Sequence, residues 1–264
     1  MKRFLVIGNP IDHSLSPKIH NYWFKINNIK GIYEKKLLWE VDLKKVVEMV
    51  RNEELVGANI KVPFKNKIIQ HLDDLTEDAK ITQSVNTIFK KDGKIFGSNT
   101  DTIGFELSLS NFIEHLKDKR VLILGAGGVV PSIIYVLKKL KISKIYISNR
   151  TIEKSEKIKL IFNDIEVIKW GETPIVDAVI NGTSLGLKPD DKIEIDYQKI
   201  GPKKFFYDVI YNPSKTNFLK EAESKGNIIE NGKLMFVYQA QRAFEIWNSV
   251  KPEINEEVLN ILND

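Results

Sequence analysis

Residues 120–140 constrain this chain more than any other stretch. A compact apolar strand, 121–124, runs directly into Gly125-Ala126-Gly127-Gly128, and a helix follows to about residue 140. Two glycines let the backbone turn tightly and approach an anion, and the free N–H groups of the next helix then face that anion. Such a loop by itself is equally a tight turn. Its surroundings carry the argument: strands at 144–148, 166–170, 177–181 and 205–210, helices at 153–162 and before Gly226, and a short strand at 228–229. This alternation predicts a doubly wound parallel sheet. Val130 stands where a third small residue is usual, and Pro131 is tolerated in the first turn because its missing N–H had no helical partner.

The strand after that helix ends on Asn149-Arg150-Thr151. An NAD site usually carries an acid near this position for the ribose hydroxyls. An arginine would instead meet a 2′-phosphate through charge-assisted hydrogen bonds, which favours NADP. Outside this frame Arg150 would be a surface arginine in a turn.

The preceding hundred residues read as a mixed α/β unit. Strands are predicted at 4–8, 36–41, 57–62, 85–89 and 94–96, the last two around Lys-Asp-Gly as a hairpin. Helices are predicted after Ser16-Pro17, with Ser16 as cap, after Asp42, and at 64–72. A helix at 103–116 connects to the second unit. A long helix at 234–250 and a final one after Pro252 close the chain.

With 264 residues, 42% of them hydrophobic, the chain can bury one large core or two modest ones. The net charge of +5 raises nucleic acid as a partner. However, the lysines alternate with acids at 153–159 and 219–226, as on a solvated helix face, and no nucleic-acid-binding motif is present. Cysteine is absent and the four histidines form no metal-binding pair, so no metal is expected. No apolar stretch approaches the ~18 residues of a membrane span, and the first apolar run is too short for a signal peptide. A cytoplasmic location is expected.

Polar clusters gather where strands of the first unit end. Ser14 and Ser16 suit hydroxyls or a carboxylate, although Ser16 is also a natural cap. Lys61 and Lys65 share one loop, Asn86-Thr87 lies in a hairpin strand, and Asp101 is placed either for chemistry or to cap a helix.

These clusters, taken in order, resemble the shikimate dehydrogenases over nearly the whole chain. The resemblance rests on GNPIDHSLSPKIHN (8–21), GANIKVPFK (57–65), SVNT (84–87), GSNTDTIG (97–104), GAGG (125–128), NRT (149–151), NGTSLG (181–186), DVIYNP (208–213) and NGKLMFVYQAQRAFEIW (231–247). It implies an α/β fold of two domains. A substrate-binding and catalytic domain, 1–102, would be completed by helices at 237–264, and a Rossmann-like NADP domain would span 103–236. It implies reversible reduction of 3-dehydroshikimate to shikimate by NADPH, with Lys65 and Asp101 as the catalytic pair. Ser14, Ser16, Lys61, Asn86, Asp101, Tyr211 and Gln239 would contact substrate. Gly125, Ala126, Gly127, Gly128, Val129, Asn149, Arg150, Thr151 and Lys154 would hold the cofactor, with Val209 and Gly232 near the nicotinamide and Glu77 on the cofactor side. Lys61 departs from the family, which usually has threonine there; it either reaches the substrate carboxylate or points away. Ser84 in place of a small alanine is milder. The small-molecule substrate is the expected partner, with monomer and homodimer both open. Two alternatives remain: an NAD-using quinate/shikimate dehydrogenase, disfavoured by Arg150 and by Ser14 with Ser16, and a non-catalytic NADP-binding protein, disfavoured by Lys65 with Asp101.

Overall fold

The computed structural model describes residues 1–262. The chain divides into two compact units, Met1–Gly104 with Val237–Asp264, of which 263 and 264 lie outside the described residues, and Phe105–Phe236.

In the first unit β1 (Lys2–Gly8) lies between β2 (Gly31–Leu37) and β3 (Gly57–Ile60), parallel to both. β5 (Thr87–Lys91) runs antiparallel to β3, β6 (Lys94–Ser98) antiparallel to β5, and β4 (Asp74–Leu75) parallel to β6. The order is β2-β1-β3-β5-β6-β4. The C-terminal ends of β1, β3 and β6 and the start of β5 therefore share one sheet edge. That edge carries Gly8, Lys61, Asn86 and Asp101. One face of the sheet packs Leu5, Ile7, Ala58 and Ile60 against Val46, Val47 and Val50 of the helix Leu43–Arg51, whose spacing places them on one side. An aromatic cluster of Phe4, Trp23, Phe24, Phe244 and Trp247 also forms, and the Trp247 indole N–H donates to the Ile88 carbonyl at 3.1 Å. The helix Lys233–Asn248 supplies the last two rings.

The second unit is an all-parallel sheet of β7 (Arg120–Leu124), β8 (Lys144–Ser148), β9 (Glu166–Ile168), β10 (Ala178–Asn181), β11 (Phe205–Asp208) and β12 (Ile228–Glu230). Its order, β12-β11-β10-β7-β8-β9, is that of a dinucleotide-binding doubly wound sheet, as the alternation predicts. β7 is buried on both faces. Val121 and Ile123 pack with Ile133, Ile134 and Leu137, and Leu122 and Leu124 with Phe206, Phe218 and Leu219. Burial on both sides explains why its sequence is a continuous apolar run without alternation.

Several boundaries differ from the sequence reading. The strand expected at 36–41 lies at Gly31–Leu37, where only Tyr33 is fully buried and an edge strand shows no clear period. The helix expected at 64–72 is a short 3-10 turn, Lys67–His71, and that expected at 103–116 is Thr100–Ser108 followed by a second such turn, Ile113–His115. Ser16 is not a cap: the helix Ser16–Ile26 contains it, and Leu15 holds the cap position with no side-chain bond. Asp101 likewise sits inside its helix, and the Asn99 side-chain oxygen accepts its backbone N–H at 3.2 Å.

Candidate active site

At the polar edge of the first unit, Lys65 and Asp101 form a buried ion pair through Lys65 Nζ and Asp101 Oδ2. The other carboxylate oxygen accepts from Asn86 Nδ2 at 2.9 Å. Asn86 has only one workable orientation. Its Oδ1 accepts the backbone N–H of Thr100 at 2.7 Å and the Thr87 hydroxyl at 3.0 Å, so its amide N–H₂ must face Asp101 and Thr100 Oγ1, with Gln239 Oε1 at 3.5 Å. Asn86 and Gln239 are both buried.

Burial pushes the Asp101 carboxyl up. The nearby Lys65 and Lys61 charges, with hydrogen bonds from Lys65 and Asn86, outweigh that and hold it below the usual carboxylate range. Lys61 is half-buried, and desolvation lowers its ammonium from 10.5 to about 8, with Asp101 pulling it back up and Lys65 pushing it further down. The site is thus a fixed carboxylate flanked by two lysines. Ser14 Oγ accepts the Ser16 backbone N–H at 3.4 Å.

In the second unit the strand order reverses between β7 and β10, and ligands of such sheets bind outside the carboxyl ends of the strands at that switch. The Gly125–Val129 loop leaves β7 there, and Val130–Lys139 is the helix it opens. Gly125 has φ +104, which a side chain rarely adopts. Gly127 is exposed, and a Cβ built on it would meet only the Gly182 carbonyl at 3.8 Å, leaving the loop open to an approaching phosphate. Val130 fits where a small residue is usual because its partner on β10's exit loop is Gly182: a Cβ there would lie 2.9 Å from Val130 Cγ2. At the end of β8 Asn149 Nδ2 donates to the Thr151 carbonyl at 2.7 Å. Arg150, Thr151 and Lys154 are exposed, with Asp191 close enough to feel the Arg150 charge. These residues fit a dinucleotide bearing a 2′-phosphate: an open N–H cradle for the pyrophosphate and cations in place of the ribose acid.

Past β11, Asp208 organises the loop carrying Val209. Its carboxylate accepts from Thr216 Oγ1 at 2.6 Å, and from Asn181 Nδ2 and the Ile210 N–H at 3.0 Å each. Burial nonetheless lifts it to about 6. Gly232 lies against this loop, its N–H donating to the Ile210 carbonyl at 3.1 Å, and a Cβ would be 2.0 Å from the Val209 carbonyl oxygen.

The structure brings Lys65, Asp101, Asn86 and Gln239 into one hydrogen-bonded group, with Lys61 in electrostatic reach. The Gly125 loop and the exit loops of β8, β10 and β11 share the edge expected of a cofactor site. Tyr211, packed against Phe236 with ring centroids 4.5 Å apart and planes tilted by 32°, belongs to the second unit, unlike the other substrate candidates. Glu77, exposed at the start of the helix Glu77–Thr82, belongs to the first, unlike the other cofactor candidates. Sequence reasoning did not assign Tyr33, Asn59, Thr87 or Thr100 to the site. Three of them lie inside quoted motifs; Tyr33 carries no local signal.

Two family models match the chain: the shikimate dehydrogenase substrate binding domain over residues 6–88 and shikimate / quinate 5-dehydrogenase over 106–183. A shikimate dehydrogenase (NADP(+)) of Pelagibacter ubique is 57% identical over 262 residues, 99% of each chain. A crystal structure of a shikimate dehydrogenase in complex with NADP+ superposes with a TM-score of 0.90 at 34% identity, covering 99% of this chain and 94% of that one. The Thermus thermophilus enzyme in complex with NADP(H) and shikimate does so at 0.88 and 28%, covering 99% and 98%. With both units matched and the glycine loop, Arg150 and the Lys65–Asp101 pair in place, the chain belongs to the shikimate dehydrogenase family.

Proposed function

We propose that this chain catalyses the reversible reduction of 3-dehydroshikimate to shikimate with NADPH, a step of aromatic amino acid biosynthesis. The observation that carries the assignment of roles is the buried Lys65–Asp101 pair with Asn86 locked against it. When bound, NADPH supplies the hydride for the ring carbonyl carbon. Lys65 then donates a proton to the carbonyl oxygen as it becomes an alkoxide, and its positive charge stabilises that oxygen. Asp101 holds the Lys65 ammonium in place and accepts a substrate hydroxyl. Asn86, Gln239, Ser14 and Ser16 supply further hydroxyl and carboxylate partners, and a site built of such groups rejects analogues lacking them. Lys61 adds a second cation suited to the substrate carboxylate, and Tyr211 a further substrate contact. On the cofactor side, Gly125 to Val129 cradle the pyrophosphate, Asn149, Arg150, Thr151 and Lys154 hold the 2′-phosphate end, and Val209, Gly232 and Glu77 complete the set. The domain roles follow: residues 1–102 with 237–264 bind substrate, and 103–236 bind cofactor.

The test follows nicotinamide absorbance with shikimate and quinate, each paired with NADP and NAD. Turnover chiefly with shikimate and NADP supports the reading, and a preference for quinate or NAD refutes it. Near-normal turnover by Lys65→Ala would remove Lys65 as the proton donor.

A further inference from the structure

The motif at 13–21 contains more than the two serines, and two of its other polar residues, His20 and Asn21, meet Tyr33. Asn21 clamps the Tyr33 backbone in both directions: Nδ2 donates to the Tyr33 carbonyl at 2.9 Å, and Oδ1 accepts its N–H at 2.9 Å. His20 stacks on the phenol ring, with centroids 4.3 Å apart and planes within 1°. The imidazole is fully buried and lies among Trp23, Phe244 and Trp247. Both of its nitrogens lack a hydrogen-bond partner among the described residues. Burial, with the Lys61 charge, lowers it to about 3, so it is a neutral flat ring at working pH. Tyr33 is thus fixed in backbone and in ring, and the element left to act is its hydroxyl.

That hydroxyl begins a chain with a single direction. Tyr33 Oη donates to Asn59 Oδ1 at 2.6 Å. The Asn59 amide cannot be reversed, because its Nδ2 donates at 3.0 Å to the Asn86 carbonyl, which can only accept. The same Nδ2 reaches Thr87 Oγ1 at 3.0 Å, and β3–β5 register pairs Asn59 with Thr87 directly. A Thr87 oxygen that accepts from Asn59 turns its own proton to Asn86 Oδ1. Asn86 Nδ2 then faces Asp101. The line of donors thus runs from Tyr33 to Asp101, and Tyr33, Asn59, Thr87 and Asn86 are all buried.

We propose that Tyr33 and Asn59 are positioning residues for the reductase chemistry: their buried phenol–amide pair holds the Thr87 hydroxyl on Asn86 Oδ1 and so, together with the Thr100 backbone N–H, keeps Asn86 facing Asp101 and its partner Lys65. The inference rests on the proposed roles of Lys65 and Asp101. In apolar surroundings a partly satisfied polar chain is costly, so removing one member re-orients the others rather than leaving them in place.

The experiment uses the whole chain with shikimate and NADP, after wild-type turnover has established the reaction itself. Tyr33→Phe keeps the ring and its stacking on His20 and removes only the donor to Asn59. Its kcat should fall by roughly tenfold, the order expected when a buried acceptor loses its partner, while the KM for NADP stays at the wild-type value. Asn59→Asp supplies the second readout. The introduced side chain, when ionised, would set an anionic oxygen against the Asn86 carbonyl, whereas its protonated form restores a donor there. The variant-to-wild-type ratio of kcat should therefore climb as pH falls from about 8 to about 5, across the range in which a buried carboxyl takes up its proton. A merely structural role would lower stability without that pH-dependent rescue. Tyr33→Phe turning over within about twofold of wild type, or an Asn59→Asp ratio flat with pH, overturns the proposal while leaving the dehydrogenase assignment intact.

Discussion

Lys61 carries its charge against burial and a neighbouring lysine, and its replacement gives a quantitative test. Desolvation and the neighbouring Lys65 lower its ammonium from 10.5 to about 8 despite the attraction of Asp101. At about 1.4 kcal/mol per pH unit, the charged folded form is penalised by at most ~3.5 kcal/mol, and because Lys61 is only half-buried, solvent screening reduces this to about 1–3 kcal/mol. The sign follows from the lowered value. Below about pH 8 both folded and unfolded chains carry the proton, and the folded state bears the full penalty. Between about 8 and 10.5 the unfolded state still binds a proton that the folded state has lost, so stability rises with pH. Above 10.5 the penalty is gone.

Lys61→Met keeps the apolar stem and removes the charge. At pH near 7 the variant should be more stable by about 1–3 kcal/mol, or roughly 3–10 °C in Tm for a chain of this size. That advantage should shrink toward zero as pH approaches about 10. Thermal unfolding of both proteins at a series of pH values measures it. A variant no more stable than wild type at neutral pH, or an advantage that does not shrink with alkalinity, refutes the reasoning. The kinetic counterpart is the KM for shikimate: a charge aimed at the substrate carboxylate makes it higher in Lys61→Met at pH 7, and the two proteins converge above about pH 8.

Three further outcomes are expected. Asp101→Asn turns an amide donor toward the Lys65 ammonium, so kcat should fall by roughly a hundredfold or more with NADP binding unchanged; steady-state kinetics with shikimate as the varied substrate decide it. Arg150→Ala should raise the KM for NADP by roughly 10–100-fold, the worth of a charge-assisted hydrogen bond, and leave turnover with NAD nearly untouched; the ratio of the two cofactor efficiencies is the readout. Asp208 is raised to about 6, burial being the main cause, so wild type should lose stability as pH rises from about 4 through 6; the near-isosteric Asp208→Asn, which still accepts from Asn181 and Ile210, should flatten that part of the Tm–pH curve.

The second unit was legible because its signals are local. A strand buried on both faces reads as an apolar run, and a glycine loop before a helix reads as an anion cradle, wherever the rest of the chain goes. What sequence could not show is why Val130 is tolerated: the space it fills is vacated by Gly182, on a different strand's exit loop. In the first unit, edge strand β2 and the short turn around residues 67–71 blurred the boundaries, as did the turn at 113–115 in the second, because none has a strong period. The Lys65–Asp101 pair was legible only through resemblance, since 36 residues separate its members and no spacing rule connects them.

The cap reading made for Ser16, and the one left open for Asp101 beside a chemical role, both give way in the fold. Both residues had an obvious local use, as caps of the helices they precede, and local rules assign such residues to that use with good reason. In the fold neither serves it. Ser16 lies within the first turn of its own helix, and the Asp101 carboxylate is taken by Lys65 and Asn86, while Asn99 accepts the backbone N–H of Asp101. A polar side chain that forgoes a nearby backbone partner for a distant, buried one needs a network able to replace that bond, and for Asp101 the chain from Tyr33 through Asn59, Thr87 and Asn86 is that network. Departures from local preference therefore concentrate where function is built, and in this unit Asp101 stands at the end of one hydrogen-bonded line that begins on a distant strand.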